Sequence, residues 1–450
     1  MRRRAWLIIY VANPWPGSWC RTVKNMTVGT FGVPLLRRSA THMSTTALSG
    51  ARHVGLDVAR GIAILGTLAT NIWIFSASAA GEKSLTMEAL FGNVNFTLAR
   101  EVGSNPSVDA VINAVLHLIT DGKFLGLLTI MFGIGLEIQR QSAERRGRRW
   151  PGGYYWRAGL LAVEGLINYI FVFEFDVLMG YGLTALAVAP ILARSERVQK
   201  IFMWVALTVH VSAIVALDTL VALFSSAMPD GGQDAPEDTM QLGVPTDNYW
   251  AMVQHRVSHF VDGRLEIPIM FIMGLGIFII GARLYRAGLF DPARADLRRK
   301  VLIVGLGIGL PLDWGMRLFA TSAAAMTTRY VTSAIVAFGV LALVAEFYVR
   351  RGNRLGALGK AFANVGRTAL SCYILQNIIA SLVFYDFGLG LARVTSGEGQ
   401  TLPVLGIYAL ICLGLMAASS LWLRRFSRGP VEIVMHRLVD KLQAIRPARS

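Results

Sequence analysis

The chain has 450 residues, of which 54% are hydrophobic and 16% charged, and its mean hydropathy is +0.50. Soluble domains carry about 25% charged residues, so a soluble globular fold is excluded, and the recurring long apolar runs read as a polytopic helical membrane protein. The net charge of +16 does not indicate a nucleic-acid partner, because the arginines gather in short loops between apolar runs; the expected partner is the lipid bilayer.

Residues 1–53 form a basic N-terminal extension, expected to be poorly ordered. Its opening, "RRRAWLIIYVANPWPG", is basic like a signal peptide, but the apolar run is short and two prolines break it. Met26 and Met43 are alternative starts to Met1. Beyond it, ten stretches are long and apolar enough to cross about 30 Å of hydrocarbon: 58–78, 121–139, 155–174, 176–194, 200–225, 267–286, 301–320, 330–349, 364–385 and 403–423. They divide into an N-terminal membrane half (54–225), an extracytoplasmic loop (226–263) and a C-terminal half (264–438), followed by a basic tail (439–450). The segment "GPVEIVMHRLVDKLQAIRPARS" has apolar residues at helical spacing and is expected on the cytoplasmic surface.

Loop charge sets the orientation. "RQSAERRGRRWPGGYYWR" and "RLYRAGLFDPARADLRRK" are each rich in arginine, and Arg194, Arg197 and Lys200 separate the fourth and fifth spans. The alternate loops are poorer in base, and 226–263 contains the acidic "DGGQDAPED". Placing the basic loops in the cytoplasm puts both termini inside. Cys20, Cys372 and Cys412 show no CxxC pairing, so neither a disulfide framework nor a metal site is expected.

Polar groups within the spans carry the functional reading. In "LDVARGIAILGTLATN", Asp57, Arg60 and Asn71 share one helix face, since eleven residues bring Arg60 and Asn71 to within about 20°. Asp57 and Arg60 form either a local ion pair or part of an anion cradle with Arg157 and Arg367, whose guanidinium forks suit phosphate. Asn71 is either an interhelical hydrogen bond or a substrate-orienting amide. In "HLITDGKF", His117 and Asp121 are four apart, the spacing at which a carboxylate orients an imidazole for acid–base work. The competing reading makes Asp121 a helix cap and Lys123 a snorkelling surface residue.

Glu164 and Asn168 lie one turn apart, deep in the third span, where a carboxylate must be protonated, paired or facing a wet cavity. His210, Asp218 and the pair Asp313 and Arg317 are weaker cases, the last expected only to neutralise each other. On the ninth span Arg367, Tyr373, Gln376 and Asn377, with Tyr385 and Asp386 at its end, must face protein or water. The motifs "FGIGLEI", "MGLGIF" and "GLGIGL" follow no strand and read as close helix packing.

Several of these motifs together resemble the YeiB-like bacterial membrane proteins, whose C-terminal half is domain-of-unknown-function family 418. The likeness spans about residues 54–438. It rests on "LDVARGIAILG", "DGKFLGLLTIMFGIGLEI", "FDVLMGYGLTAL", "GLGIFIIGARLYRAGLF", "VGRTALSCYILQNIIASLVFYDFGLGL" and "LWLRRFSRGPVEIVMHRL". The resemblance implies a multi-pass protein of the bacterial plasma membrane.

Through its Asp-x-x-Arg-Gly start the first helix also looks like that of membrane acyltransferases. The acyltransferase-3 type has histidine eleven residues after the arginine, where this chain has Asn71. The heparan-glucosaminide N-acetyltransferase branch has asparagine there and a working histidine in the loop that follows; residues 72–116 here contain none, and the first available is His117. Where relatives show histidine in the third span this chain has Asn168, which cannot transfer protons.

Two functions follow as expectations. The first is acyl transfer from a cytosolic donor such as acyl-CoA to a small-molecule or lipid-linked acceptor. Arg60, Arg157 and Arg367 would hold the anion, Asp57, Asn71, Lys123, Asn168 and Gln376 would line the substrate, and His117, Asp121 and Glu164 would act in catalysis. The second is transport of a small polar or anionic solute coupled to Glu164, Asp218 and Asp313, although the sequence offers no broken-helix pair in its support. No bound cofactor and no metal are expected.

Overall fold

A computed structural model of the protein describes residues 53–77, 103, 107–227, 245–320, 324–395 and 399–445. The expectations placed on residues 1–52, including Cys20, on 228–244 and on 446–450 lie outside these described residues. Every regular element among the described residues is helical. We number them α1 (Val54–Ala77), α2 (Val108–Thr120), α3 (Lys123–Arg145), α4 (Tyr154–Phe171), α5 (Leu178–Leu192), α6 (Glu196–Ala227), α7 (Tyr249–Ser258) and α8 (Glu266–Arg286). There follow α9 (Pro292–Phe319), α10 (Ala325–Arg350), α11 (Ala357–Arg367), α12 (Ala369–Phe384), α13 (Thr401–Trp422) and α14 (Pro430–Ile445).

Among the described residues seven helical stretches are long and apolar enough to cross a bilayer, or eight if a bent pair counts as one span, against the ten runs read from the sequence. The difference lies in α4 and α5. α4 has 18 residues and carries Arg157 and Glu164, and α5 has only 15, with Pro190 inside its last turns. At 1.5 Å per residue α5 is about 22 Å long, short of the hydrocarbon thickness.

Three expected spans are interrupted. The second starts earlier than 121, because α2 and α3 meet at Asp121 and Gly122; Gly122 holds φ +71°, and a Cβ there would come 2.5 Å from the Arg329 carbonyl oxygen. The ninth is two helices, α11 and α12, bent by 90° about Thr368. This broken pair corrects the expectation that none exists. The seventh runs through a π-helical stretch, Ile303–Gly309, and α10 begins with another, Thr328–Thr332. Such wide turns are found often at functional sites.

Small residues set the packing. α1 lies so close to α11 that a Cβ on Gly61 would stand 2.0 Å from the Phe362 carbonyl oxygen, and one on Gly366 would stand 1.9 Å from that of Asp57. Gly133 of "FGIGLEI" meets the backbone of Phe278 in the same way, so this glycine motif serves close helix contact as expected. α3 sits between α8 and α10, and its buried Leu127, Ile130 and Ile134 join Phe278 and Ala337 in one core. The most apolar windows of α6, α9 and α13 are only 22%, 22% and 28% buried, which leaves their outer faces for lipid. α14 packs back on the bundle against α4 and α12. Its Glu432 accepts hydrogen bonds from the Leu370 amide (2.8 Å) and from Ser371, at the newly started α12.

Candidate functional site

The break between α2 and α3 builds the first buried polar site. The chain leaves α2 at Asp121, turns through Gly122 and starts α3 with Lys123, so three consecutive residues point inward rather than round a helix. His117 Nδ1 lies 2.8 Å from Asp121 Oδ2. In the neutral imidazole a carboxylate at Nδ1 favours the proton on that nitrogen, which makes Nε2 the basic atom. Arg317 Nη1 is 3.7 Å from the same Asp121 oxygen, and Arg317 Nη2 donates to the Asp121 carbonyl at 3.2 Å.

Lys123, only 4% exposed, donates to Asp313 Oδ2, which also accepts from Arg317 Nε at 3.1 Å. Asp313 Oδ1 accepts from Thr332 Oγ1 (2.6 Å) and Ser333 Oγ (3.1 Å). Two carboxylates and two cations therefore cancel inside the bundle, with His117 at the edge of the network.

These contacts overturn two readings and extend a third. Lys123 does not snorkel, because its ammonium is sealed against α9. Asp121 ends α2 rather than capping α3, whose N-cap is Gly122. Asp313 and Arg317 do form their expected pair, but not in isolation, since they tie α9 to the α2–α3 break and to α10. The wide turns beginning α10 place Thr328, Thr332 and Ser333 at this network.

The second site lies at the turn between α4 and α5. Asn168 does not pair with Glu164; its Nδ2 donates to Asp176 Oδ2 at 2.6 Å. Asp176 Oδ1 accepts from the amides of Leu178 (2.9 Å) and Met179 (3.2 Å) and so starts α5. Arg264 donates to the carbonyls of Glu174 (3.1 Å) and Asp176 (3.0 Å), with its guanidinium 4.5 Å above the Tyr169 ring. Glu174 pairs with Arg256 and accepts from the Tyr385 hydroxyl at 3.2 Å. The Val177 amide donates to the Tyr373 hydroxyl at 3.4 Å. Around this frame buried acceptors (both Glu164 carboxylate oxygens, Asn168 Oδ1, Gln376 Oε1 and Asn377 Oδ1) and buried donors (Arg256 Nε and Nη1, Arg264 Nε and Asn377 Nδ2) have no hydrogen-bond partner. The Gln376 amide nitrogen reaches Thr67 of α1 at 3.3 Å. The Asn377 amide, fully buried, makes no hydrogen bond.

Of the three proposed cradle arginines, two approach. Arg60, 3.8 Å from Asp57, donates to the Gly366 carbonyl at 3.5 Å, next to Arg367, which itself reaches the Ser427 carbonyl. Arg157 is exposed on α4 and takes no part in these contacts. Asp57 is buried, and Asn71 is half-buried near the far end of α1. Two other expected groups are structural: His210 Nε2 meets the Tyr330 carbonyl (3.2 Å), and Asp218 accepts from Met326 and Thr327 where α10 begins. Among the described residues no group of three or more His, Cys, Asp or Glu side chains is placed to hold a metal ion.

Glu174, Asp176, Arg256 and Arg264 were not singled out from the sequence. A signal was present in "FEFD", where two acids alternate with phenylalanines in a short turn between apolar runs.

Charges sealed within a bundle of lipid-length helices define a multi-pass integral membrane protein. Residues 284–441 match the family described as "Protein of unknown function (DUF418)". The chain is 28% identical over 419 residues to "Uncharacterized protein YeiB" of Escherichia coli (strain K12), covering 89% of this chain and 98% of that protein. It is 24% identical over 400 residues to "Uncharacterized protein YxaH" of Bacillus subtilis (strain 168), covering 84% and 91%. The chain is therefore similar to the YeiB-like DUF418 proteins along nearly its whole length. No solved structure matches it. The matched domain contributes Asp313, Arg317 and Ser333 to the first site, while His117, Asp121 and Lys123 come from outside it.

Proposed function

We propose that the protein transfers an acyl group from an activated cytosolic thioester, such as acyl-CoA, to a hydroxyl or amine acceptor at the opposite face of the membrane. The observation that carries this reading is the carboxylate-oriented imidazole, His117 Nδ1 at 2.8 Å from Asp121 Oδ2, on a scaffold fixed by Lys123, Asp313 and Arg317. In the reaction Nε2 takes the proton of the acceptor as its oxygen or nitrogen attacks the acyl carbon. The carbon–sulfur bond breaks, and the proton passes to the departing thiolate. Arg60 and Arg367, at the other end of α1, offer the donor's phosphates planar donor sets. Thirteen residues separate Arg60 from Trp73, whose ring lies 5.7 Å from that of His117, so the two ends stand about 20 Å apart. The long, narrow arm of a CoA thioester suits such a separation.

The test is single-turnover transfer from radiolabelled acetyl-CoA and longer acyl-CoAs to lipid or soluble acceptors, with protein in nanodiscs. Label should appear in product with the intact protein and fall at least a hundredfold in His117→Ala. Absence of label from any product, or equal transfer by the variant, removes the reading.

Transport is the second reading, and the 90° break at Thr368 favours it, because discontinuous helices line solute sites in carriers. Two of its expected proton carriers, Asp218 and Asp313, are already bonded to helix starts and cations. Uptake into proteoliposomes driven by a pH gradient and lost in Glu164→Gln would establish transport.

A further inference from the structure

The chain that leaves the last span turns a basic and apolar face outward. α14 is pinned on its inner side near both ends: Glu432 accepts from the Leu370 amide at 2.8 Å, and Gln443 Nε2 donates to the Gly153 carbonyl at 3.2 Å. Val439 is buried on that side. Val434, Arg437, Leu438 and Lys441 follow three- and four-residue spacing, so they share the opposite face, and all four are exposed. The link from α13, "LRRFSRG", adds exposed Arg424, Arg425 and Arg428 around Phe426, whose ring stacks on that of Trp422 at 4.3 Å. Among the described residues none of these five basic side chains pairs with a carboxylate. Glu432 is committed to the start of α12, and Asp440 lies 3.7 Å from His436 on the flank of the helix.

Both characters of this face need a partner. Phe426, Val434 and Leu438 are 45%, 55% and 40% exposed, and water gains nothing from them. α13 is long and apolar enough to cross the bilayer, and Leu421 at its end is exposed, so the chain passes straight from hydrocarbon into this segment. The surface at that level is the headgroup layer, where the acyl-chain edge takes apolar side chains and phosphate takes guanidinium and ammonium. A zwitterionic headgroup brings no net charge to five uncompensated cations, whereas an anionic one does. An acidic soluble protein would bring the charge, but it would lie beyond the headgroups, away from side chains at the acyl boundary.

We propose that the link after α13 and the outer face of α14 form a binding surface for anionic phospholipid. The five basic side chains take its phosphates, and Phe426, Val434 and Leu438 sit at the acyl-chain boundary. Because Glu432 holds the first turn of α12, lipid that fixes α14 also steadies the bend at Thr368. The surface is separate from His117, and the proposal stands whether or not acyl transfer is found.

The test uses the full chain in nanodiscs of phosphatidylcholine and of an equal mixture with phosphatidylglycerol. Native mass spectrometry should find phosphatidylglycerol retained in preference to phosphatidylcholine. The thermal midpoint should be higher in the mixture, because a ligand of the folded state alone stabilises it, and added sodium chloride should shrink that gain. Arg437→Gln with Lys441→Gln should cut retention of phosphatidylglycerol about tenfold, given the attraction of each cation to an anionic surface. Arg299→Gln with Lys300→Gln removes the same charge from exposed positions near the start of α9 and should leave retention unchanged. Val434→Ser with Leu438→Ser should weaken retention at constant charge. Should the α14 variants fail to fold, Arg424→Gln with Arg425→Gln decides. Equal retention of the two lipids, as a surface kept for an acidic soluble protein would give, overturns the proposal, and so does an equal loss in the α9 variant.

Discussion

Asp313 shows how one side chain can hold a membrane protein together. It takes hydrogen bonds from Lys123, Arg317, Thr332 and Ser333, and no part of it is exposed. Removing one member of a buried ion pair costs about 3–5 kcal/mol, because the partner stays buried and uncompensated. Asp313→Asn leaves Lys123 and Arg317 facing Asp121 alone, one positive charge in excess, and the fraction surviving a heating step in detergent should fall steeply. Asp313→Asn combined with Lys123→Met restores the balance of charge and should recover most of that loss. If the double variant is no more stable than the single, the network is not coupled through this carboxylate. Asp121→Asn separates orientation from bulk at the neighbouring group. Transfer should drop by about a hundredfold to ten-thousandfold, the range for loss of acid–base assistance, while acyl-CoA affinity, read by titration, should stay unchanged.

Among the helices, the tightest fit is between α1 and α11. The backbones meet at Gly61 and Gly366, each of which would drive a side chain into the other helix's carbonyl. Gly61→Val should push the helices apart and loosen the Arg60 contact with the Gly366 carbonyl. Acyl-CoA binding at the Arg60 end should then fall along with thermal stability, whereas Gly135→Val, at an open position, should change neither.

This level was partly legible in the sequence. Apolar runs marked most of the helices, and the spacing of His117 and Asp121 gave their contact. The break at Thr368 left little local signal: "VGRTALSCY" reads as a continuous helix, because the bend is held by distant residues such as Glu432 and Ser419. Lys123 was misread for the same reason. Sequence neighbours place a lysine near a helix end, but only the fold brings Asp313, 190 residues away, against it.

For the molecule as a whole, the alternation of basic and base-poor loops gives an orientation that a labelling experiment can test. Single cysteines at Arg149 and Arg354, on the expected cytoplasmic side, should resist a membrane-impermeant maleimide in intact cells and react after lysis. A cysteine at Asp262 should react in both. Labelling of Arg149→Cys in intact cells would invert the assignment of donor and acceptor sides. The class of fold was readable because hydrocarbon imposes it everywhere along the chain. The second polar site was not, because its acids and bases come from a four-residue turn, a short helix and a distant span that only tertiary structure assembles.

Near its far end α1 stands between the two sites. Trp73 faces His117, while Phe75, about 160° around the helix, stacks on Phe173 at 4.4 Å, beside the turn that holds Glu174 and Asp176. A single rigid rod thus forms a party wall, and neither room can be remodelled without moving the other's furniture. A substitution that shifts α1 at Trp73 or Phe75 therefore disturbs both polar networks at once.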